Sequence, residues 1–341
     1  MPPPLDSAFV KACALEAGFH EVGVARAEPL DPGPLDRVLS AGAEADMEWL
    51  ATQRAQRLDP SRVLPGARSV IAVALSHAVP EGTGPAEGFG EVARYARGRD
   101  YHTVMKRRLA TLAASLRARD PGASLFPSCD VAPVMEKAWA QRAGLGWVGK
   151  NGCFITPRHG SWVVLGTVLV DRQLEPDEPF AERCGGCSLC MPACPTGAIP
   201  APGFVDARRC LSFWTIERRG PVPAEIAERL GSWVFGCDDC QTACPWNRPG
   251  IATSEVDLVP RPGQRALSVT DLLQMTEEEY RRRFNGTALA RARFDGLVRN
   301  ACLLAGRIGG AGGIERLRAL STSPLPGVRA AAQWALGQIG S

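Results

Sequence analysis

The sequence shows no long hydrophobic run, no visible secretory signal and almost no net charge. Its longest apolar stretch, residues 162–170, is far too short to span a bilayer. The first residues lack a basic segment followed by an apolar one, so we expect a cytoplasmic chain without membrane contact. The net charge of +3 balances 39 basic against 36 acidic side chains, which excludes a uniformly basic nucleic-acid binder but not a local basic patch.

The composition is that of a folded globular protein with an unusual number of thiols. Apolar residues make up 45% and charged residues 22%, which excludes a disordered or fibrous chain. The length of 341 residues suggests two or three domains. No interface signature is visible, so we expect a monomer. Twelve cysteines in a chain that stays in a reducing compartment indicate metal binding more than disulfides.

Eight of the twelve cysteines fall between positions 184 and 244, and their spacing predicts two 4Fe–4S clusters. The first four follow the bacterial ferredoxin pattern C-x₂-C-x₂-C-x₃-C-P, in which the fourth cysteine binds the other cluster. The same crossover assigns one cluster to Cys184, Cys187, Cys190 and Cys244. It assigns the second cluster to Cys194, Cys210, Cys237 and Cys240. Paired zinc sites or disulfides are the alternatives, but zinc sites do not need a four-cysteine run that ends in proline.

The hydrophobic periodicity predicts an N-terminal α/β domain over residues 1–175, and the cysteine pattern predicts a ferredoxin-like domain over residues 176–252. We expect helices over residues 5–17, 35–57, 102–119 and 134–143. We expect strands over residues 19–25, 69–76 and 124–126, and a hairpin of residues 154–156 with 162–171. Residues 82–90 are predicted to form a loop.

The C-terminal region, residues 268–341, contains an internal repeat with a basic character. The stretch that begins at Val298 returns at Val328, a period that indicates a HEAT-like helical repeat. Residues 281–341 hold ten arginines against Asp295 and Glu315, a local balance of +8. Arginine forks suit phosphate groups, although a merely solvated basic face is an equal alternative at this point.

Several motifs together resemble those of the epoxyqueuosine reductase family, whose members are cobalamin-dependent iron–sulfur enzymes of tRNA modification. The resemblance covers nearly the whole chain. Besides the cysteine pattern, it is carried by Leu64-Pro65-Gly66-Ala67-Arg68, Asp100-Tyr101-His102, Asp130-Val131-Ala132-Pro133, Gly146-Trp147-Val148-Gly149-Lys150-Asn151, Gly160-Ser161-Trp162, Cys210-Leu211-Ser212 and Cys244-Pro245-Trp246-Asn247.

The resemblance implies reduction of epoxyqueuosine, at the wobble position of a tRNA anticodon, to queuosine. Two electrons from a low-potential donor would pass through the clusters to cobalamin, and water would leave. Asp130 matches the general acid of the family, and desolvation is expected to raise the pKa of its carboxyl. Without the resemblance, Asp130 ahead of Pro133 reads as a helix N-cap.

The resemblance also implies base-off cobalamin without a histidine ligand, and the common Asp-x-His-x-x-Gly ligand motif is indeed absent. By family position, the candidate cobalamin contacts are Arg57, Asp100, Lys150, Ser161 and Ser212. The structural alternatives are a surface ion pair for Arg57, a helix cap for Asp100 and a turn for Lys150.

The tRNA substrate gives the basic tail a role. The modified base must leave the anticodon stack, and the protein must hold the backbone meanwhile. Arg291, Arg293 and Arg299 are the candidate phosphate contacts, and tRNA binding should weaken steeply with salt. Two other activities remain open here, a corrinoid reductive dehalogenase and a ferredoxin-like electron carrier.

Overall fold

The computed structural model describes residues 4–80, 84–248, 251–308 and 313–340. Within these ranges the helices are α1 (Ser7–Glu16), α2 (Gly33–Ser40), α3 (Trp49–Thr52), α4 (Arg54–Leu58), α5 (Tyr101–Arg119), α6 (Glu136–Arg142), α7 (Ala224–Ala227), α8 (Asp239–Thr242), α9 (Val269–Gln274), α10 (Glu277–Phe284), α11 (Arg293–Arg307), α12 (Ile314–Leu320) and α13 (Pro326–Ile339). The strands are β1 (Glu21–Arg26), β2 (Ser69–Ser76), β3 (Phe89–Val92), β4 (Leu125–Ser128), β5 (Trp147–Val148), β6 (Phe154–Ile155), β7 (Val163–Val170), β8 (Trp233–Phe235) and β9 (Ala266–Ser268).

A four-stranded sheet of order β1-β2-β7-β4 organises the N-terminal half. Every neighbouring pair in it is antiparallel. Helices cover both faces, which is why all eight residues of β2 are buried. Ile71 and Val73 face α1 and α5, while Val70 and Ala72 face α6. The predicted mixture of helices and strands is confirmed, with antiparallel pairing in this sheet.

A second sheet joins distant parts of the chain. Its order is β8-β3-β9, with β3 parallel to β8 and antiparallel to β9. The prediction of a loop over residues 82–90 is therefore wrong at its end, because β3 begins at Phe89; residues 81–83 lie outside the described part. The largest apolar core surrounds this sheet and extends into α9, α11 and α13.

Two other sequence predictions are wrong in the N-terminal half. The expected hairpin of residues 154–156 with 162–171 does not form, because β6 pairs with β5 and β7 lies between β2 and β4. The continuous apolar run of β7 suits an interior strand with helices on both faces. The helix predicted over residues 35–57 is broken into α2, α3 and α4, with left-handed backbone at Gly42 and Ala45 in the break.

The two copies of the C-terminal repeat lie in α11 and α13, and these helices pack against each other. The end of the first copy, at Gly309, lies outside the described residues. Thr276 and Glu279 form a capping box at the start of α10. In the parts of the chain that the structure describes, no helix is both long and apolar enough to cross a membrane.

Candidate functional site

The first cysteine group, Cys184, Cys187, Cys190 and Cys244, lines a single cavity. These are the four thiols that the crossover pattern assigns to one cluster. The indole nitrogen of Trp147 donates to Cys184 Sγ at 3.4 Å. Lys150 Nζ donates to the carbonyls of Gly185 and Cys187, at 2.6 and 2.9 Å. Lys150 therefore lies in a turn and binds the loop that carries the first cysteine group.

The second cysteine group consists of Cys194, Cys210, Cys237 and Cys240. Burial raises the pKa of the Cys210 thiol, and the neighbouring Cys194 adds to the increase. A hydrogen bond with Cys153 raises the pKa of Cys240, with burial and the neighbours Cys210 and Cys237 acting in the same direction. The backbone N–H of Ala198 donates to Cys194 Sγ at 3.2 Å. Cys210 thus lies near Cys194, and Cys240 lies near Cys210 and Cys237.

No disulfide joins the cysteines, because all twelve are free thiols. Four cysteines around one cavity are the ligand set of a 4Fe–4S cluster.

A cleft opens between the four-stranded sheet and the helical half of the molecule. It consists of an inner cavity of 370 Å³ and an outer cavity of 800 Å³. Tyr95, Tyr101 and Asp130 line both. The inner cavity reaches Asp238 and Gln241, which flank Cys237 and Cys240 in sequence.

The inner cavity has an apolar wall and a few fixed polar groups. Val163, Val164, Leu165 and Phe154 supply apolar surface. The Ser161 hydroxyl donates to Gln241 Oε1 at 2.9 Å and accepts from Asn247. Burial lowers the pKa of His77 to about 3, so its ring is neutral, and within the described residues its Nδ1 has no hydrogen-bond partner.

Asp130 projects into the cleft from a tight turn. Its φ is 60°, in the left-handed region, and the N–H of Val131 donates to the Cys129 carbonyl at 2.8 Å across it. Such a turn is strained, and strained backbone is concentrated at functional sites. The N-cap alternative is wrong, because α6 begins at Glu136 with Met135 as its cap.

The pKa of Asp130 is shifted in the direction opposite to the one expected from the sequence. Partial desolvation in the cleft raises it, but the nearby His102 ring and the hydrogen bond from Tyr101 outweigh this effect and hold the pKa below its ordinary value. Tyr101 Oη donates to Asp130 Oδ2 at 2.5 Å, and His102 Nε2 lies 3.6 Å from the same oxygen. The side chain is 64% exposed, so the carboxylate faces an open cleft. The expectation of a raised pKa is therefore corrected.

Asp100 is the N-cap of α5, as the structural alternative predicted. Its Oδ1 accepts from the backbone N–H of His102 at 3.0 Å and from His102 Nδ1 at 2.8 Å. Burial lowers the pKa of His102, but the hydrogen bond to Asp100 and the nearby Asp130 carboxylate outweigh burial and raise the pKa to about 9. Burial also raises the pKa of Glu136 to about 7, and its Oε1 accepts from the Asp130 backbone N–H at 2.9 Å.

Arg57 and Ser212 lie in different places. Arg57 lines the outer cavity, where its guanidinium donates to Gln53 Oε1 at 3.2 Å. The Ser212 hydroxyl donates to the Cys237 carbonyl at 3.4 Å, which places it beside the second cysteine group. Of the five candidate cobalamin contacts, Arg57 and Asp100 line the outer cavity, and Ser161 the inner one.

The three candidate phosphate contacts lie in different environments. Arg299 is 1% exposed, and its guanidinium donates to the carbonyls of Trp214, Arg218 and Gly220. A buried guanidinium with these partners is a structural group, so its prediction as a phosphate contact is wrong. Arg291 lines the outer cavity and forms a fork with Glu217, with a shortest distance of 2.7 Å. Arg293 is exposed.

Sequence reasoning missed four residues that the structure brings to the cleft. Tyr101 and His102 belong to a quoted motif, but adjacent helical positions do not reveal that both reach Asp130. Glu136 and Cys153 line the inner cavity, and no motif singles out either one.

Comparison with known proteins decides the family. The family model of the 4Fe–4S double cluster binding domain matches residues 183–247, and that of epoxyqueuosine reductase QueG matches residues 57–130. The epoxyqueuosine reductase of Gloeobacter violaceus is 45% identical over 303 residues, which cover 86% of this chain and 94% of the relative. The chain belongs to the epoxyqueuosine reductase family.

Other members agree with this assignment. The epoxyqueuosine reductase of Escherichia coli K12 is 38% identical over 83% of this chain and 76% of the relative. A crystal structure of epoxyqueuosine reductase with an epoxyqueuosine-modified tRNA-Tyr stem loop has a TM-score of 0.88, with 29% identity, and covers 97% of this chain and 89% of its own. The Bacillus subtilis enzyme, solved with its catalytic aspartate loop swung out of the active site, has a TM-score of 0.89 at 28% identity, over 97% of this chain and 90% of its own.

Membership of the family makes the chain an oxidoreductase with iron–sulfur clusters. Among the three activities left open by the sequence, epoxyqueuosine reduction is therefore the one that holds.

Proposed function

We propose that this epoxyqueuosine reductase receives the modified base of tRNA in the outer cavity and that Asp130 protonates the epoxide oxygen there. The observation that carries the proposal is the shared cleft. Asp130 and Tyr101 line both cavities, and the inner cavity reaches the segment of the second cysteine group. The proton donor and the segment of the second cysteine group thus face one space.

Two 4Fe–4S clusters supply the electrons. We assign the first to Cys184, Cys187, Cys190 and Cys244, and the second to Cys194, Cys210, Cys237 and Cys240. Each cluster transfers one electron at a time, so two transfers are needed for each epoxide. Cys187 is exposed, which allows a low-potential donor to approach the first cluster.

Cobalamin fits the inner cavity by the groups that line it. Its apolar wall suits the macrocycle, while the Ser161 hydroxyl and the unpartnered Nδ1 of His77 suit polar edge groups. When bound, cobalamin supplies a low-valent metal centre that relays electrons to carbon. We propose a base-off state without a histidine ligand to the metal. Arg57 and Asp100, in the outer cavity, then lie toward the substrate side.

The chemistry at the epoxide requires two electrons and two protons, and it releases water and an alkene. A carbon–oxygen bond breaks as electrons arrive, so negative charge develops on oxygen and a proton must be delivered there. Asp130 is ionised in the free cleft because its pKa is held low. It must therefore receive a proton before it can donate one.

The tRNA would approach over the helical half of the molecule. A relative of the same fold is solved with a modified tRNA stem loop, which supports this substrate class. Arg291 lies at the outer cavity and Arg293 is exposed, so both can meet phosphates, whereas Arg299 cannot. The swung-out aspartate loop of the Bacillus subtilis enzyme supports a mobile turn at Asp130.

Four further predictions complete the proposal. The division into domains at residues 1–175, 176–252 and 268–341 and the HEAT-like interpretation of the tail stay predictions. So do a monomeric state and a cytoplasmic location.

The test is anaerobic turnover of epoxyqueuosine-containing tRNA by the Asp130→Asn variant. We expect about 10²- to 10⁴-fold slower turnover, because the amide cannot deliver a proton, with unchanged iron content. Asp31→Asn is the matched control, since Asp31 caps only a local turn through Gly33. Near-normal turnover by Asp130→Asn would contradict the proposed role.

A further inference from the structure

We propose that His102 is the proton store of the active site, and that its Nε2–H recharges Asp130 as the epoxide bond breaks. This inference rests on the proposed role of Asp130 and adds the origin of its proton. His102 and Asp130 line the outer cavity together.

The geometry places the His102 ring between two carboxylates. Nδ1 lies 2.8 Å from Asp100 Oδ1, and Nε2 lies 3.6 Å from Asp130 Oδ2. The first carboxylate is fixed, because the same Oδ1 also caps α5. The second belongs to a left-handed turn, and a small movement of that turn closes the gap to hydrogen-bond distance. The ring is thus held on one side and can transfer a proton on the other.

Tyr101 positions this pair without supplying the proton. Its ring stacks on His102 with a centroid distance of 4.0 Å, and its hydroxyl donates to Asp130 Oδ2 at 2.5 Å. Burial and the neighbouring Asp130 raise the pKa of Tyr101, so the phenol keeps its proton at neutral pH.

The resting charges support a proton on histidine and none on aspartate. With its pKa raised to about 9, His102 is an imidazolium at neutral pH, while the lowered pKa of Asp130 leaves a carboxylate. Developing negative charge on the epoxide oxygen makes that oxygen a stronger base. The proton then moves from Nε2 to Asp130 and from Asp130 to the oxygen.

The other charged groups around the pair come from three segments. Arg57 lies on α4, Lys137 lies on α6, and Arg291 precedes α11. All three side chains interact electrostatically with Asp130. Glu217 neutralises Arg291 through their fork. Glu136, with a pKa of about 7, binds the backbone of Asp130 and faces the inner cavity instead.

The whole reduction consumes two electrons and two protons for each epoxide. Two electrons arrive one at a time from the low-potential donor, and the first carbon–oxygen bond breaks. The oxygen takes the proton that left His102 and becomes a hydroxyl group. A second proton, from solvent in the open cleft, allows the second carbon–oxygen bond to break, which forms the alkene and releases water. His102 then recovers its proton from solvent.

The first test is the alkaline limb of the pH–rate profile of the holoenzyme. In the wild-type chain we expect turnover to fall as the pH rises through about 9, the pKa of His102. Asp100→Asn keeps an equally good helix cap but removes the negative charge that lies beside the His102 ring. The limb should therefore move down by about one to two pH units in this variant.

The second test removes the imidazole of His102. His102→Gln should lose this limb and slow turnover at neutral pH by at least about tenfold, with iron content unchanged. A merely structural role would lower activity without changing the shape of the profile.

The third test needs no turnover. The chain has four histidines, so ¹³C-histidine NMR of the holoenzyme resolves His102, and the His102→Gln spectrum identifies its signal. We expect titration near 9 in the wild-type chain and a lower value in Asp100→Asn. Titration near 6.5, or an alkaline limb that Asp100→Asn leaves in place, overturns this proposal. An active Asp130→Asn variant instead overturns the proposed function, so the two failures are distinguishable.

Discussion

The two cysteine groups differ most in what surrounds them. The first lies on an exposed segment, where Cys187 is exposed and Leu189 is 48% exposed. The second lies against buried residues, among them Phe235 and Asp238, at the wall of the inner cavity. Two groups of the same chemistry therefore face different partners. We expect electrons to enter at the first group and to leave the chain's clusters at the second.

The largest expected effect comes from removing one ligand of each group. Cys237→Ser should abolish turnover with any reductant, because the carrier next to the cleft is lost. Cys187→Ser should abolish turnover with a protein donor but retain part of it with a strong small-molecule reductant. Iron content should fall from about eight to about four per chain in both variants.

Cys13→Ala, in α1, is the control for these two variants, and it should keep full iron and turnover. Equal behaviour of Cys187→Ser and Cys237→Ser under both reductants would remove the directional difference between the groups.

An intermediate effect should appear where the second group is attached to the helical core. Arg299 binds three carbonyls of residues 214–220, a segment that follows Cys210. Arg299→Ala leaves these buried acceptors without partners, so we expect a loss of about 3 kcal/mol in the free energy of unfolding. Chemical denaturation measures it, and the EPR signal of the second cluster should broaden while that of the first stays unchanged.

Arg318→Ala is the matched control, since Arg318 is exposed on α12. It should change stability by less than about 0.5 kcal/mol. A similar cost for both arginines would show that Arg299 does not support the second group.

The smallest effect should come from a single hydrogen bond to the first group. Trp147→Phe removes the N–H···S bond to Cys184, and loss of such a bond destabilises the reduced, more negative cluster. We expect a lower reduction potential for the first cluster alone, measured by EPR-monitored redox titration. Trp139→Phe, a buried substitution in α6, should shift neither cluster.

Local features of this chain were predictable from the sequence. The cysteine spacing predicted two groups of thiols because a ferredoxin loop places three ligands at two-residue intervals and the fourth cysteine at the other cluster. The limits of β2 were correct because a strand buried on both faces reads as an unbroken apolar run.

Features that depend on distant partners were not predictable. Charge counting placed Arg299 among the phosphate contacts, since its carbonyl partners lie about eighty residues earlier in the chain. The pKa shift of Asp130 was predicted in the wrong direction because desolvation was foreseen, whereas the Tyr101 hydrogen bond and the nearby His102 ring were not. The prediction of a hairpin between residues 154–156 and 162–171 was wrong because hydrophobic periodicity alone does not identify which strands are neighbours in a sheet.

The pairing of β3 with β8 and β9 has a consequence for synthesis on the ribosome. Residues 89–92 are made early, yet both of their strand neighbours come from residues 233–268. At a translation rate of about 5–20 residues per second, β3 waits roughly 10–35 s for its last partner. During that interval its unpaired edge and apolar Val92 require shielding, so we expect the nascent chain to depend on chaperones until residue 268 has emerged.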